Sequence, residues 1–288
     1  QHNLIKGCSL FSTENSALKD SRYAFRRHFF QHAGFRYVEG EEPIITTSNP
    51  YETDEQVSQY IEFHFGSDYH GVPNFAGACG TLCLEYFAAT TEKKQSRRAL
   101  DLGCAIGRTS FELAREFDHV DGIDFSARFV SAATQLKEND SKRYTIRDEG
   151  DLFSFKETSL AEHGLAETAH KCEFWQGDAC NLSDKFSNYD LVFAGNLIDR
   201  LYEPEKFVSR IHELVNEDGL LVITSPYTWL SEFTDQENWI GGYKRDGENF
   251  TTLDGLKELL APHFDLVDEP RDVPFVIRET ARKFQHSV

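Results

Sequence analysis

Several things are scarce in this chain, and each scarcity removes a class of function. Methionine is absent from all 288 residues, the first included, which leads to the expectation of a processed piece of a longer protein. Cysteine is sparse: six scattered residues, no C-x-x-C pair, and no Cys/His spacing of a zinc site. Reduced thiols are expected, with no metal centre. Basic residues are outnumbered, 30 against 48 acids, for a net charge of −18. An acidic surface of that kind argues against nucleic acid or an anionic membrane as partner. No apolar run approaches the ~20 residues that span a bilayer. The opening QHNLIKGCSLF lacks the basic, apolar and small-residue zones of a signal peptide, so a cytoplasmic setting is expected. There is no internal repeat and no low-complexity tract.

What is present is mainly an alternation of strands and helices. The first forty residues do not read as the start of a domain. SRYAFRRHFFQHAGFRYV is rich in aromatics and arginine, a loop and terminal strand that would pack on a neighbour. His28 and His32 sit four apart there, but arginines flank them and no third ligand is near, so no metal is assigned. EGEEPIITTSNP (39–50) reads as a linker. From Tyr51 to Phe87 the spacing turns helical, with Val57, Tyr60, Ile61 and Phe65 on one face and ACGTLCLEYFAA as a second helix. RALDLG (98–103), VDGIDFS (120–126), KCEFWQGD (171–178), YDLVFAGN (189–196) and GLLVITSP (219–226) read as strands. Helices are expected over 107–117, 127–138, 203–215 and 252–263, the last opened by Thr252. Residues 139–170 read as a charged insertion and 227–250 as a second one. FDLVDEPRDVPFVIRETARKFQHS closes the chain as two strands joined by a Pro-bearing turn. The pattern predicts an α/β fold with a mostly parallel sheet, right-handed crossovers and an antiparallel strand at one edge.

Where that alternation begins, ALDLGCAIGRTS (99–110) carries an acid and two glycines from a buried strand straight into a helix. Ligands of open α/β sheets bind outside the carboxyl ends of the strands, at the switch point. Gly103 and Gly107 let the backbone turn sharply and approach a ligand. Asp124, 23 residues beyond Asp101 at the end of the next strand, is placed to accept from ribose hydroxyls. Phe125 would face an adenine ring. Asp178 and Ala179, at the third strand end, would meet the adenine amine, and Asn196 stands at the mouth of the same crevice. The loop is D-x-G-x-x-x-G, with no glycine at 105, so it departs from the G-x-G-x-x-G of dinucleotide folds. Asp101 is a poor neighbour for a pyrophosphate and a good one for a sulfonium ligand bearing an α-amino group.

This loop resembles motif I of class I S-adenosylmethionine (SAM) methyltransferases, as do Asp124, Asp178 and the terminal hairpin. That resemblance implies a Rossmann-like seven-stranded sheet and SAM as cofactor, with S-adenosylhomocysteine as product. A closer one is carried by GNLIDRLYEPEKF, TSPYTWLSEFT, WIGGYKRDGE, TTLDGLKELLAPHF and DVPFVIRETARKFQHSV, with YETDEQVSQYIEFHFG and FSARFVSAATQL. These stretches resemble the C-terminal methyltransferase domain of the ovothiol synthase family, the 5-histidylcysteine sulfoxide synthase fusions. Residues 1–40 would then be a remnant of an upstream sulfatase-modifying-factor-like domain, 41–50 a linker and 51–288 the methyltransferase domain. The family implies iron-dependent upstream domains that make 5-thiohistidine, and methyl transfer to its imidazole Nπ here. The alternatives are another small amino-acid or imidazole acceptor, or a SAM-binding module without catalysis.

The resemblance implies cofactor contacts from Asp101, Gly103, Cys104, Gly107, Asp124, Phe125, Asp178, Ala179 and Asn196, although Cys104 also reads as a small filler of the loop. Asn196 and Asp199 either handle the acceptor or cap local structure. Tyr60, His64 and Tyr69, before the sheet, either lid the site or pack in the core. Arg200 and Tyr227 are further substrate candidates. Arg278 and Arg282 share strand parity and are read as carboxylate partners or as surface ion pairs.

Overall fold

The computed structural model describes residues 36–37, 50–90 and 97–288. His28, His32 and nearly all of the expected remnant and linker lie outside the described residues. In chain order the elements are β1 (Arg36–Tyr37), α1 (Asp54–Phe65), α2 (Phe75–Thr90), β2 (Arg98–Leu102), α3 (Arg108–Leu113), β3 (His119–Asp124) and α4 (Ala127–Asn139). They continue with β4 (Ser141–Glu149), β5 (Leu152–Ser159), β6 (Cys172–Gln176), β7 (Tyr189–Gly195), α5 (Pro204–Arg210) and β8 (Val215–Thr224). The last are β9 (Tyr243–Arg245), β10 (Glu248–Phe250), α6 (Thr252–Leu260), β11 (Phe275–Arg278) and β12 (Phe284–Ser287).

The central sheet runs β1-β6-β3-β2-β7-β8, and every pairing in it is parallel. Each interior strand is covered on both faces, which is why the sequence shows apolar runs rather than alternation. Ala99 packs with residues of α1 to α4 on one face. Leu100 and Leu102 pack with α5 and α6 on the other. The chain moves from β2 to β3 and β6 on one side, then returns to β7 and β8 on the other. The switch point is therefore at β2, next to the glycine loop, as the sequence predicts.

Local signals place the helix starts. Thr53 caps α1 by accepting from the Gln56 N–H, and Ser126 caps α4 by accepting from Phe129. At α6 the cap is Thr251, not Thr252, in a reciprocal capping box with Asp254. Thr252 is the first helical residue, and its hydroxyl instead accepts from the Trp229 indole at 2.8 Å.

Three expectations change. The segment 139–170 contains an antiparallel hairpin, β4 with β5. The closing hairpin is formed by β11 and β12, joined through Glu279–Lys283, so the prolines at 270 and 274 precede it. It is a separate two-stranded sheet, and the central sheet has six strands among the described residues. Two anchors draw the hairpin over α1. Phe275 lies 5.9 Å from Phe63 and 5.1 Å from Phe75 between ring centroids, and Arg278 donates to Asp148 of β4 at 2.7 Å. No helix among the described residues is long and apolar enough to cross a membrane.

Candidate active site

The glycine loop after β2 takes three left-handed residues in five: Gly103 at φ 72°, Ala105 at 45° and Gly107 at 83°. Gly107 is required twice over. A Cβ there would also lie 2.6 Å from the Phe174 ring. The loop is fastened to β3 from above. The Gly103 and Cys104 N–H groups donate to the Ile123 carbonyl at 2.8 and 3.1 Å. The Ala105 N–H donates to Oδ2 of Asp124 at 2.9 Å. The other oxygen of Asp124 accepts from the Ser126 N–H at 2.8 Å. One carboxylate thus clasps the loop and the start of α4. Burial pushes the Asp124 carboxyl up to about 6, against the pull of those two N–H groups, with Glu52 adding to the rise. Phe125 beside it keeps 37% of its surface exposed.

Asp178 caps the turn after β6, accepting from the Cys180 N–H at 2.8 Å and the Tyr202 hydroxyl at 2.7 Å. Across the switch point, Asn196 holds φ 49°. Its N–H donates to the Thr224 carbonyl at 2.8 Å, and its side-chain oxygen accepts from the Thr224 hydroxyl. Asn196 therefore ties the ends of β7 and β8 together at the crevice mouth.

The sequence profile of the methyltransferase domain family matches residues 93–253, more than half of the chain. The chain belongs to the methyltransferase domain family. Ajmaline N-methyltransferase of Rauvolfia serpentina is 28% identical over 145 residues, 50% of this chain and 40% of that one. A protein of Geobacillus sp. (strain WCH70) named as a putative methyltransferase is 28% identical over 149 residues, 50% of this chain and 49% of its own. The chain thus spans less than half the length of either curated relative. Among solved structures, phosphoethanolamine N-methyltransferase 2 of Haemonchus contortus, in complex with S-adenosyl-L-methionine, is 22% identical at a TM-score of 0.41. That match covers 61% of this chain and 33% of the other.

In the methyltransferase domain two of the residues expected at the cofactor are buried. Asp101 is 1% exposed and accepts from the Ser110 hydroxyl of α3 at 2.6 Å. Strand side chains alternate, so Asp101 points with Ala99 into the α3 face and not out of the strand end. It supports the loop from beneath. Burial pushes its carboxyl up to about 7, opposed by the Ser110 hydrogen bond, with Asp124 adding to the rise. Cys104 is 2% exposed and packs in the core beneath the loop, as a small filler.

Asp199 is also an internal residue. It is fully buried and its two oxygens take four donors. Oδ2 accepts from the Thr228 N–H at 3.0 Å, the Thr228 hydroxyl at 2.9 Å and Arg200 Nη1 at 2.8 Å. Oδ1 accepts from the Ser225 hydroxyl at 3.2 Å. This carboxylate anchors the loop after β8 and orients Arg200, and it is not presented to an acceptor molecule.

Arg200 and Tyr60 do meet at the crevice, through a residue the sequence reading missed. Tyr51 lies just before α1. Its carbonyl accepts from the Ser126 hydroxyl at 3.1 Å, and Glu52 accepts from the Ala127 N–H at 2.8 Å. The Tyr51 ring stacks on Phe233 at 6.2 Å and meets the Tyr60 ring edge-on at 5.8 Å, and the Arg200 guanidinium lies 5.1 Å over the same Phe233 ring. The Ser126 cap was legible as a helix start, but Phe233 and Tyr51 carry no local signal. Tyr227, at φ 53° and 42% exposed, stands in the loop after β8. Trp229 and Trp239 stack at 6.0 Å and fasten that loop by indole donors to Thr252 and the Thr234 carbonyl.

Tyr69, Arg278 and Arg282 belong elsewhere. Tyr69 donates to Glu62, Arg278 lies 3.9 Å from the same carboxylate, and Arg282 is exposed in the turn of the last hairpin. The reason is helical phase: Glu62 leaves α1 on the side away from Tyr60. His64 is 7% exposed. Burial, and then the Arg108 charge, hold its imidazole down to about 3, so it is neutral in the helix packing.

Proposed function

We propose that this domain is a SAM-dependent N-methyltransferase whose acceptor is the imidazole Nπ of 5-thiohistidine, the reaction that yields ovothiol A. The observation that carries the cofactor half is the clasp of Asp124 on the glycine loop at the switch point. The residues present fit SAM. Each Asp124 oxygen holds one N–H and retains a further lone pair for a ribose hydroxyl. Phe125 offers an exposed ring to adenine, Asp178 and Ala179 line its edge, and the Gly103–Gly107 backbone borders the amino-acid tail. When bound, SAM supplies a methyl group on a positively charged sulfur.

The remaining work falls to the protein. Imidazole Nπ attacks with its lone pair, so no strong base is required. The site has to hold the ring in line, keep water out and leave Nπ unprotonated through an acceptor at the other ring nitrogen. Tyr51, Tyr60 and Phe233 form an aromatic wall over the crevice that suits a flat ring. The acceptor identity rests on the stretches resembling the ovothiol synthase family, and an N-methyltransferase among the relatives supports nitrogen as the atom. In the same reading the domain follows iron-dependent sulfoxide synthase domains in a cytoplasmic chain.

The test is a mass-spectrometric methyl-transfer assay with SAM, offering 5-thiohistidine and histidine side by side. The expected product is the ring-methylated thiol compound alone, with an equal amount of S-adenosylhomocysteine. Tight SAM binding with no product from either compound would contradict the acceptor.

A further inference from the structure

Arg200 and Tyr60 flank Tyr51 above the crevice. The Tyr51 ring lies 5.8 Å from Tyr60 and 6.2 Å from Phe233 between ring centroids, and the Arg200 guanidinium stands over the same Phe233 ring. Arg200 is held in place. Its Nη1 donates to the Asp199 carbonyl at 2.8 Å, to Asp199 Oδ2 at 2.8 Å and to the Thr228 carbonyl at 3.0 Å. Its Nη2 donates to the Thr228 hydroxyl at 3.0 Å. The guanidinium lies 5.1 Å over the Phe233 ring, and the side chain retains 25% exposure. A cation fixed on one side and open on the other is a prepared site. A carboxylate is the strong match for it. Ser126 donates its hydroxyl to the Tyr51 carbonyl at 3.1 Å and its N–H to Asp124 at 2.8 Å, which sets Tyr51 beside Asp124 at the crevice. In a chain of net charge −18, an anionic ligand entering beside Asp124 needs such a cation.

We propose that Arg200, with the Tyr60 hydroxyl, binds the carboxylate of an amino-acid ligand. The inference rests on the methyltransferase reading, in which two ligands carry that group: the amino-acid tail of SAM and the acceptor. Asp199 acts as the positioning residue for Arg200.

Calorimetry distinguishes the two sources. One pair of probes is S-adenosylhomocysteine against methylthioadenosine, which lacks the amino-acid tail. The other, on protein saturated with S-adenosylhomocysteine, is 5-thiohistidine against its decarboxylated amine. The wild type is expected to prefer the carboxylate-bearing member of at least one pair by about tenfold or more, the range of a hydrogen bond to a charged group. Arg200→Gln should abolish that preference, and Tyr60→Phe, which spares the Asp199 network, should reduce it. Loss in the first pair assigns the cofactor tail, and loss in the second assigns the acceptor. A preference that survives both substitutions overturns the proposal while leaving the function standing, and if Arg200→Gln does not fold, an unchanged preference in Tyr60→Phe overturns it. Binding of neither S-adenosylhomocysteine nor 5-thiohistidine by the wild type overturns the functional reading and this inference with it.

Discussion

Tyr60 and Glu62 stand two residues apart on α1 and enter opposite worlds. Tyr60 turns to the crevice, where it meets Tyr51 and lies 4.6 Å from Phe129 between ring centroids. Glu62 turns to the hairpins, 2% exposed. It accepts from Lys156 at 2.6 Å, from the Tyr144 hydroxyl at 2.6 Å and from Tyr69. Although burial works against it, these hydrogen bonds hold the Glu62 carboxyl below its usual range. The Glu62 network is closed: its partners come from β4, β5, β11 and the Tyr69 loop, and they join those elements to α1. The Tyr60 network is open on one side, with a fixed cation and an aromatic wall. The difference separates structure from recognition. A saturated, buried ion cluster reports on folding, whereas a fixed cation with one exposed side is available to a ligand.

The strongest way to break this comparison is Glu62→Ala. It strands Lys156 without its anion and leaves the Tyr144 and Tyr69 hydroxyls without their acceptor, while Arg278 keeps Asp148, so a loss on the order of 3 kcal/mol in denaturant unfolding is expected. A stable variant with weakened acceptor binding would instead move Glu62 into the site.

Asp101 is the next internal acid, and pH is the lever. Its carboxyl titrates near about 7 in the folded chain and near ~3.9 when unfolded. Between those values the folded state holds a proton that the unfolded state releases, so stability falls as pH rises through that window. Asp101→Asn should flatten the slope, gaining on the order of 2–4 kcal/mol over the wild type between about pH 4 and pH 8. Melting curves across that range check it, and an unchanged slope would remove Asp101 as its source.

The smallest effect sharpens the contrast between phenols. Tyr69→Phe should lower stability by about 1 kcal/mol and leave the affinity for S-adenosylhomocysteine and 5-thiohistidine within about twofold. A larger loss of ligand affinity would place the Tyr69 side of α1 in the site.

Much of the frame was legible in the sequence. Strands β2 and β7 read as largely apolar runs because they are covered on both faces, and Gly103, Gly107 and Asp124 marked the switch point by type and spacing. The hairpin β4–β5 was not legible. Leu152 and Phe155 on it are exposed at 67% and 87%, so apolar character there does not report burial and no clean alternation emerges. The inward turn of Asp101 follows from the parity of Ala99 against Leu100 and Leu102, and could have been read. The role of Asp199 could not. It depends on Ser225 and Thr228, more than twenty residues away, and on a loop whose path no local pattern states. For the same reason Arg278 looked free for a ligand: its partners Glu62 and Asp148 are joined to it only by the fold.

The central claim is that Asp124, clasping the glycine loop, holds the cofactor. A calorimetric titration of wild type and Asp124→Ala with S-adenosylhomocysteine tests it most directly. The account predicts at least about tenfold weaker binding in the variant, with a folded far-ultraviolet spectrum. Equal affinity in a folded Asp124→Ala protein would contradict it.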